Sequence, residues 1–318
     1  MPDGTMLPGA IPGTSPISQA EASRLTESVR IDVHTHIVPP DVVNGRRHYS
    51  RADLWFGRLY RNEHRVLATA DDLRRSMRRT TLTASVAFGF AWRDPGLCRV
   101  NNDYVLEAAA ASNEGSGQLL PFCVVPPDDL DFAIAEMERC RALGAVGVGE
   151  LFPQGQSWNL NDRSAVRSFM DTVRTLGLIL TVHTSEPVGH HYPGKDSTTP
   201  AAIWSLIEAA EGDVPIILAH WGGGLAFYEL MPEIQQQAQN VFYDSSASHL
   251  LYRPDIYRVM SQLASGRVLF GSDYPLIRQT RAVRLAREAG LPAAELAALL
   301  GGNATRLGLG VNEGTEAV

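Results

Sequence analysis

The chain of 318 residues is predicted to be an α/β protein: a single-domain (β/α)₈ TIM barrel with an inserted loop after strand 1. Three observations predict it. Eight short apolar runs alternate with helical patterns, and strict strand–helix alternation gives a parallel sheet. Eight such units in this length suit a barrel of ~250 residues plus insertions. No glycine-rich phosphate loop follows the first run, which disfavours an open doubly wound sheet.

The elements follow in chain order. Residues 1–17 are rich in Pro, Gly, Ser and Thr, and 1–29 are expected to form a flexible extension, with a short helix over 18–28. Strand 1 is expected at Ile31–Ile37. The segment Asp41–Arg65 is too long for a plain connection and carries Arg46, Arg47, His48, Tyr49, Trp55 and Tyr60. It is expected to cover the barrel mouth and supply a cationic or aromatic substrate contact. Helix Leu67–Arg79 and strand Leu82–Phe90 come next, then helix Asn102–Ser112 and strand Leu119–Val125. Asp128-Asp129 opens and Gly144 closes a helix over Leu130–Leu143, before strand Ala145–Leu151. Asn161-Asp162 and Gly177 bound helix Ala165–Leu176 in the same way, before strand Leu178–Thr184. Helix Ala201–Ala210, strand Pro215–His220, helix Phe227–Gln239 and strand Asn240–Ser245 continue the alternation. Helix Pro254–Ala264, strand Arg267–Ser272 and helix Thr280–Ala289 complete it. Further helix is expected at Ala293–Leu300 and Ala304–Leu307. The barrel then occupies 30–310, and 311–318 form a tail.

Lys and Arg number 28 against 35 Asp and Glu, a net charge of −7. An acidic surface argues against nucleic acid or an anionic membrane as partner. The basic cluster Arg74-Arg75 with Arg78-Arg79 is expected to be the solvated face of a helix. No stretch approaches the ~20 apolar residues of a membrane span, and no signal-peptide pattern opens the chain. Cys98, Cys123 and Cys140 are odd in number and lack zinc-knuckle or disulfide spacing. A reducing, cytoplasmic setting fits them. The expected partner is a small-molecule substrate, and a homo-oligomer is left open.

Function is legible at the strand ends. His34 and His36 stand two residues apart at the end of strand 1, so both imidazoles point to one side. Glu150, His183, His220 and Asp273 each end a later apolar run. A buried strand terminus has little structural use for His, Glu or Asp, and a barrel gathers such termini at one mouth. Imidazole and carboxylate together are ligands for a divalent metal, with Zn²⁺ expected.

Four stretches carry a family resemblance: His34-Thr35-His36-Ile37-Val38-Pro39, Ala219-His220-Trp221-Gly222-Gly223-Gly224, Phe270-Gly271-Ser272-Asp273-Tyr274-Pro275 and Gly302-Asn303-Ala304-Thr305-Arg306-Leu307. The chain resembles the amidohydrolase superfamily of metal-dependent barrels. More closely it resembles the amidohydrolase-related branch that includes aminocarboxymuconate-semialdehyde decarboxylase. The resemblance implies one ion held by His34, His36, His183 and Asp273, with His220 beside it polarising water or substrate. It also implies a second arrangement, in which Glu150 bridges two ions as in binuclear members. His34, His36 and Asp273 would then hold one ion, and His183 and His220 the other. Glu150 is equally a group that orients a histidine, so the count of one or two ions stays open.

Two chemistries suit this donor set. In a metal-dependent hydrolase of a small-molecule amide, lactone or related bond, activated water attacks the substrate, Asp273 takes its proton and His220 stabilises the oxyanion. In a nonoxidative decarboxylase of an aromatic or enol acid, protonation of carbon precedes loss of CO₂. The residues lean to hydrolysis, because Glu150 stands where a bridge would. A noncatalytic ligand-binding barrel is disfavoured, because all six positions carry competent side chains. Substrate contacts are expected from Arg46, Arg47, Lys195, His191 and Trp221. His48, His64 and His249 are given no role.

Overall fold

The computed structural model describes residues 29–111 and 117–310. The expected helix over 18–28 and the tail 311–318 lie outside the described residues. Eight parallel strands pair in sequence order: β1 Ile31–His36, β2 Ala84–Phe88, β3 Gln118–Cys123, β4 Gly147–Leu151, β5 Ile179–Val182, β6 Ile216–Leu218, β7 Val241–Asp244 and β8 Val268–Leu269. Backbone bonds from Val33 N to Phe270 O (2.9 Å) and from Asp273 N to His34 O (3.0 Å) join the last strand's extension to the first. The barrel closes through them.

Helices fill the connections. Three short ones, α1 Pro40–Asn44, α2 Arg46–Ala52 and α3 Leu54–Tyr60, make up the insertion after β1. The outer layer begins with α4 Ala70–Thr80, α5 Pro95–Ala110, α6 Leu130–Ala142, α7 Arg163–Thr175 and α8 Pro200–Ala210. It continues through α9 Pro232–Gln237, α10 Ser248–Leu251, α11 Asp255–Leu263, α12 Gln279–Glu288, α13 Ala293–Ala297 and α14 Asn303–Arg306. Side chains start several of them. Thr69 and Asp72 form a reciprocal cap on α4, and Asp129 and Asp162 accept from backbone N–H groups at the starts of α6 and α7. Among the described residues no helix is long and apolar enough to cross a membrane.

One expected helix is not continuous. Phe227–Gln239 is divided between a 3₁₀ segment, His220–Leu230, and α9, which starts at Pro232. Proline lacks an N–H and suits the first turn of a helix, so it starts α9 rather than sitting inside a longer one. The 3₁₀ segment opens with Trp221 to Gly224 all at positive φ.

Successive strand residues enter different apolar groups. Leu180, Val182, Ile216 and Leu218 pack with helix residues such as Met137, Phe169 and Ile203. Ile179 and Ile217 join Phe88, Phe122 and Leu269, together with Trp55, Phe56, Phe90 and Trp92 around the insertion. Period-two alternation therefore separates the two sides of each strand.

At Gly149 the strands leave no room. A Cβ there would stand 2.2 Å from the Thr181 carbonyl oxygen, and the residue has φ of +129°. Gly149→Ala is predicted to destabilise the fold by about 2–4 kcal/mol through overpacking and backbone strain. Urea unfolding measures this; a midpoint equal to the parent's would refute it.

Candidate metal centre

Six side chains converge where the strands end. His34 Nε2 and His36 Nε2 are 3.2 Å apart. Glu150 Oε2 lies 3.6 and 3.5 Å from them, and Asp273 Oδ1 lies 3.9 and 3.7 Å away. The other Glu150 oxygen, Oε1, faces His183 Nδ1 at 3.1 Å and His220 Nε2 at 3.6 Å. The donors thus fall into two groups, His34–His36–Asp273 and Glu150–His183–His220. Glu150 turns one oxygen to the histidines of each.

The far side of each imidazole fixes its tautomer. His34 Nδ1 bonds Asp244 at 2.8 Å, and His36 Nδ1 bonds the Gly89 carbonyl at 3.3 Å. His183 Nε2 bonds the Gly194 carbonyl at 3.1 Å. His220 Nδ1 bonds Ser246 Oγ at 2.8 Å, and that hydroxyl in turn donates to Asp244. In the neutral rings the far-side N–H is committed to an acceptor outside the cluster, and the other nitrogen turns its lone pair inward. Four such nitrogens and two carboxylates facing one another demand positive charge, from protons or from a cation. Donor atoms about 2.1 Å from a shared ion sit about 3–3.5 Å from each other. These residues therefore fit a divalent metal.

The titration behaviour agrees. Burial opposes charging His34, but Asp244, Glu150 and Asp273 outweigh it and lift the ring to about 10. Burial likewise opposes charge on His183, yet Glu150 and Asp196 raise it to about 9. His36 goes down, through burial and the neighbouring His34. Glu150 goes down despite burial, held by His34, His183 and His220.

Asp244, at the end of β7, was not assigned a role from the sequence. Beyond His34 it accepts from the backbone N–H groups of His220 (3.1 Å) and Ser246 (2.9 Å). One buried carboxylate thus orients histidines of both groups. Its signal was present: Val241-Phe242-Tyr243-Asp244 is another apolar run ending in an acid. Asp32 plays a related part behind the site. It accepts from His34 N (3.2 Å), Ser272 N (2.9 Å) and Gln279 Nε2 (2.8 Å), and burial raises it to about 6.

Above the donors is a cavity of about 300 Å³. Its apolar walls include Leu59, Phe90, Phe152, Leu250 and Leu276, and His36, Glu150, His183, His220 and Asp273 reach it from below. The insertion after β1 contributes Tyr60, His64 and Arg65; His64 had been given no role. The expected substrate contacts lie elsewhere. Arg46 donates to the Asn62 and Arg65 carbonyls at 3.1 and 2.6 Å, and Arg47 pairs with Glu63 at 2.9 Å, so both are held within their own segment. Lys195 bonds the carbonyls of Val188 and His190. His191 is exposed outside the cavity lining, while His190 is part of that lining. Trp221 is buried, donates to Ser248 Oγ at 2.8 Å and packs edge-on against Tyr257.

A family model for amidohydrolases matches residues 31–307. The chain belongs to the amidohydrolase family. Solved structures share its fold at low identity. 5-Carboxyvanillate decarboxylase LigW from Sphingomonas paucimobilis superposes with a TM-score of 0.67 at 18% identity, covering 88% of this chain and 98% of that one. A manganese-bound 5-carboxyvanillate decarboxylase from Novosphingobium aromaticivorans gives 0.69 at 14% identity, covering 88% and 96%. 2,6-Dihydroxybenzoate decarboxylase from Rhizobium gives 0.62 at 18%, covering 88% and 98%. No curated protein matches the sequence.

Two predictions follow from the donor geometry. At pH 7 the ion-free protein holds protons on His34 and His183, whose values stand above the ordinary 6.5. Metal binding is predicted to release about two protons, and to tighten as pH rises from 7 toward about 9. Calorimetry in buffers of different ionisation enthalpy counts them; no net release would contradict the assignment. Asp244→Asn is predicted to weaken metal binding about 10–100-fold by loosening His34 and His220. Chelator competition measures this, and an unchanged affinity would remove Asp244 from the account.

Proposed function

We propose that this amidohydrolase-family enzyme is a metal-dependent nonoxidative decarboxylase of an aromatic or enol carboxylic acid. The chamber above the donors carries the reading. It is small and walled by Phe90, Phe152, Leu59, Leu250 and Leu276, with the donors at its floor and Tyr60, His64, Arg65 and His190 among the rest of its lining. A flat apolar body with one carboxylate directed at that floor suits it. The names of the structural neighbours point the same way, as they are decarboxylases of hydroxylated aromatic acids.

His34, His36, His183 and Asp273 would hold one divalent ion, of zinc or manganese type, with Glu150 and His220 beside it. Bound there, the ion supplies a positive charge for the substrate carboxylate. The protein then has two tasks. Phe90, Phe152 and Leu59 hold the ring and exclude water. Asp273, which lines the cavity, is the acid that delivers a proton to the carbon bearing the carboxylate. The bond from that carbon to the carboxylate breaks, its electron pair returns to the ring, and CO₂ leaves. Asp273 is recharged with a proton from solvent through the mouth. His220, its Nδ1 fixed by Ser246, offers Nε2 to a substrate hydroxyl. Tyr60 keeps its proton, because burial and the charges of Asp273 and Glu150 raise it; it can donate to substrate.

Glu150 favours a second reading. One oxygen toward each histidine pair is the arrangement a bridge between two ions needs, and this would support hydrolysis of an amide or lactone.

Incubation of the manganese- or zinc-loaded enzyme with 2,6-dihydroxybenzoate and 5-carboxyvanillate, with headspace CO₂ and metal content measured together, separates the two. One ion per chain and CO₂ equal to substrate lost is the predicted result. Two ions per chain and no CO₂ from either acid, with acid released when lactones are supplied in their place, would establish hydrolysis instead. Asp273→Asn is predicted to lower turnover about 10²–10⁴-fold.

A further inference from the structure

The basic cluster on α4 does not stand alone. α4 packs against α12, and a depression between them is lined by Arg75, Arg79, Tyr274, Arg278 and Thr280. Asp72 also lines it, but its carboxylate is engaged by Arg75 and by the backbone and hydroxyl of Thr69. Among the described residues no carboxylate lies within ion-pair reach of Arg79 or Arg278. The N-terminus of α12 adds to the field. No described side chain caps it and no acid stands in its first turn. Its first N–H groups lack helical partners, and the helix dipole favours an anion there. On a chain of net charge −7, this is a local excess of positive charge.

The depression adjoins the catalytic cavity. Val66 and Pro275 line both. Leu276 lines the cavity and a second hollow that holds Arg278, Arg281 and Arg284. Val66 and Leu276 are apolar side chains left 59% and 44% exposed. They make a greasy sill between the donor cluster and the arginines. Asp273 and Tyr274, adjacent in sequence, line the cavity and the depression respectively.

We infer that the substrate carries a second oxyanion, of phosphate or carboxylate type, on an apolar stem that crosses the Val66–Pro275–Leu276 sill and reaches Arg79 and Arg278. The inference rests on the reading of the cavity as the seat of an aryl or enol carboxylate. Guanidinium groups match oxyanions in fork geometry. Both arginines are exposed, so the contact is screened by salt.

The test uses the full-length, metal-loaded enzyme and three probes in calorimetric titrations: inorganic pyrophosphate, a plain hydroxybenzoate, and the same hydroxybenzoate bearing a phosphate on alkyl tails of graded length. At low salt, one tail length is expected to bind about 10-fold tighter than the plain compound, the equivalent of one charge-assisted hydrogen bond. The gain should vanish in Arg79→Ala/Arg278→Ala, with plain hydroxybenzoate affinity unchanged, and should shrink as salt rises. A tail that gives no gain, or a gain that survives the double substitution, overturns the inference. Pyrophosphate binding that depends on the arginines, without any gain from a tail, assigns them to a free anion and overturns the substrate handle. If no hydroxybenzoate binds with or without a tail, the aryl-carboxylate reading falls and the handle with it, while pyrophosphate still reports whether the arginines hold an anion.

Discussion

Everything at the mouth of this barrel depends on one electrostatic constraint. Four imidazole lone pairs and two carboxylates are turned toward each other in a buried space, and each imidazole is held that way by a hydrogen bond on its far side. Desolvated negative charge is costly unless a cation or protons compensate it. The carboxylates lift His34 and His183 above the ordinary imidazole range, so without an ion protons answer the demand. A divalent ion meets the same demand with better geometry, which links metal affinity to pH.

The barrel supplies the rigidity for this arrangement. Asp244 reaches across from β7 to β1, and Asp32 ties β1 to the segment after β8. These buried acids hold backbone and ring positions together, so the donors cannot relax apart. Part of the cost is local strain. His220, Trp221 and Asp273 all have positive φ, a conformation that disfavours residues with side chains by on the order of 1–3 kcal/mol each. Two of the three are donors and the third follows a donor. The surrounding network holds that strain where it directs side chains to one point.

The alternation of strand and helix made the barrel legible, because a period of two and a period of 3.6 are local properties of the chain. The convergence of the six side chains was legible for a related reason: each is a polar residue ending an apolar run. Asp244 shared the pattern but ligates nothing. Its meaning lies in a contact with His34, 210 positions away, which sequence order does not display. The side chains expected to contact substrate are placed outside the cavity lining. Arg46, Arg47 and Lys195 have suitable chemistry, but short-range carbonyls and Glu63 claim them. Trp221 sits in a run of positive φ that ends with its ring packed on Tyr257 rather than on the cavity. Residue type identifies what a side chain can do; local backbone geometry decides where it does it. The insertion after β1 does reach the mouth, through Tyr60, His64 and Arg65 rather than through its first arginines.

A cation among these donors is the central claim, because substrate orientation, the role of Asp273 and the choice between one ion and two all depend on it. Anomalous X-ray scattering at the zinc edge, from crystals of the zinc-loaded protein, tests it most directly. The expected result is a strong peak about 2.0–2.1 Å from Nε2 of both His34 and His36, within reach of Asp273. A second peak beside His183 and His220 would mark a binuclear centre. No anomalous peak within ligation distance of His34 and His36 would contradict the account.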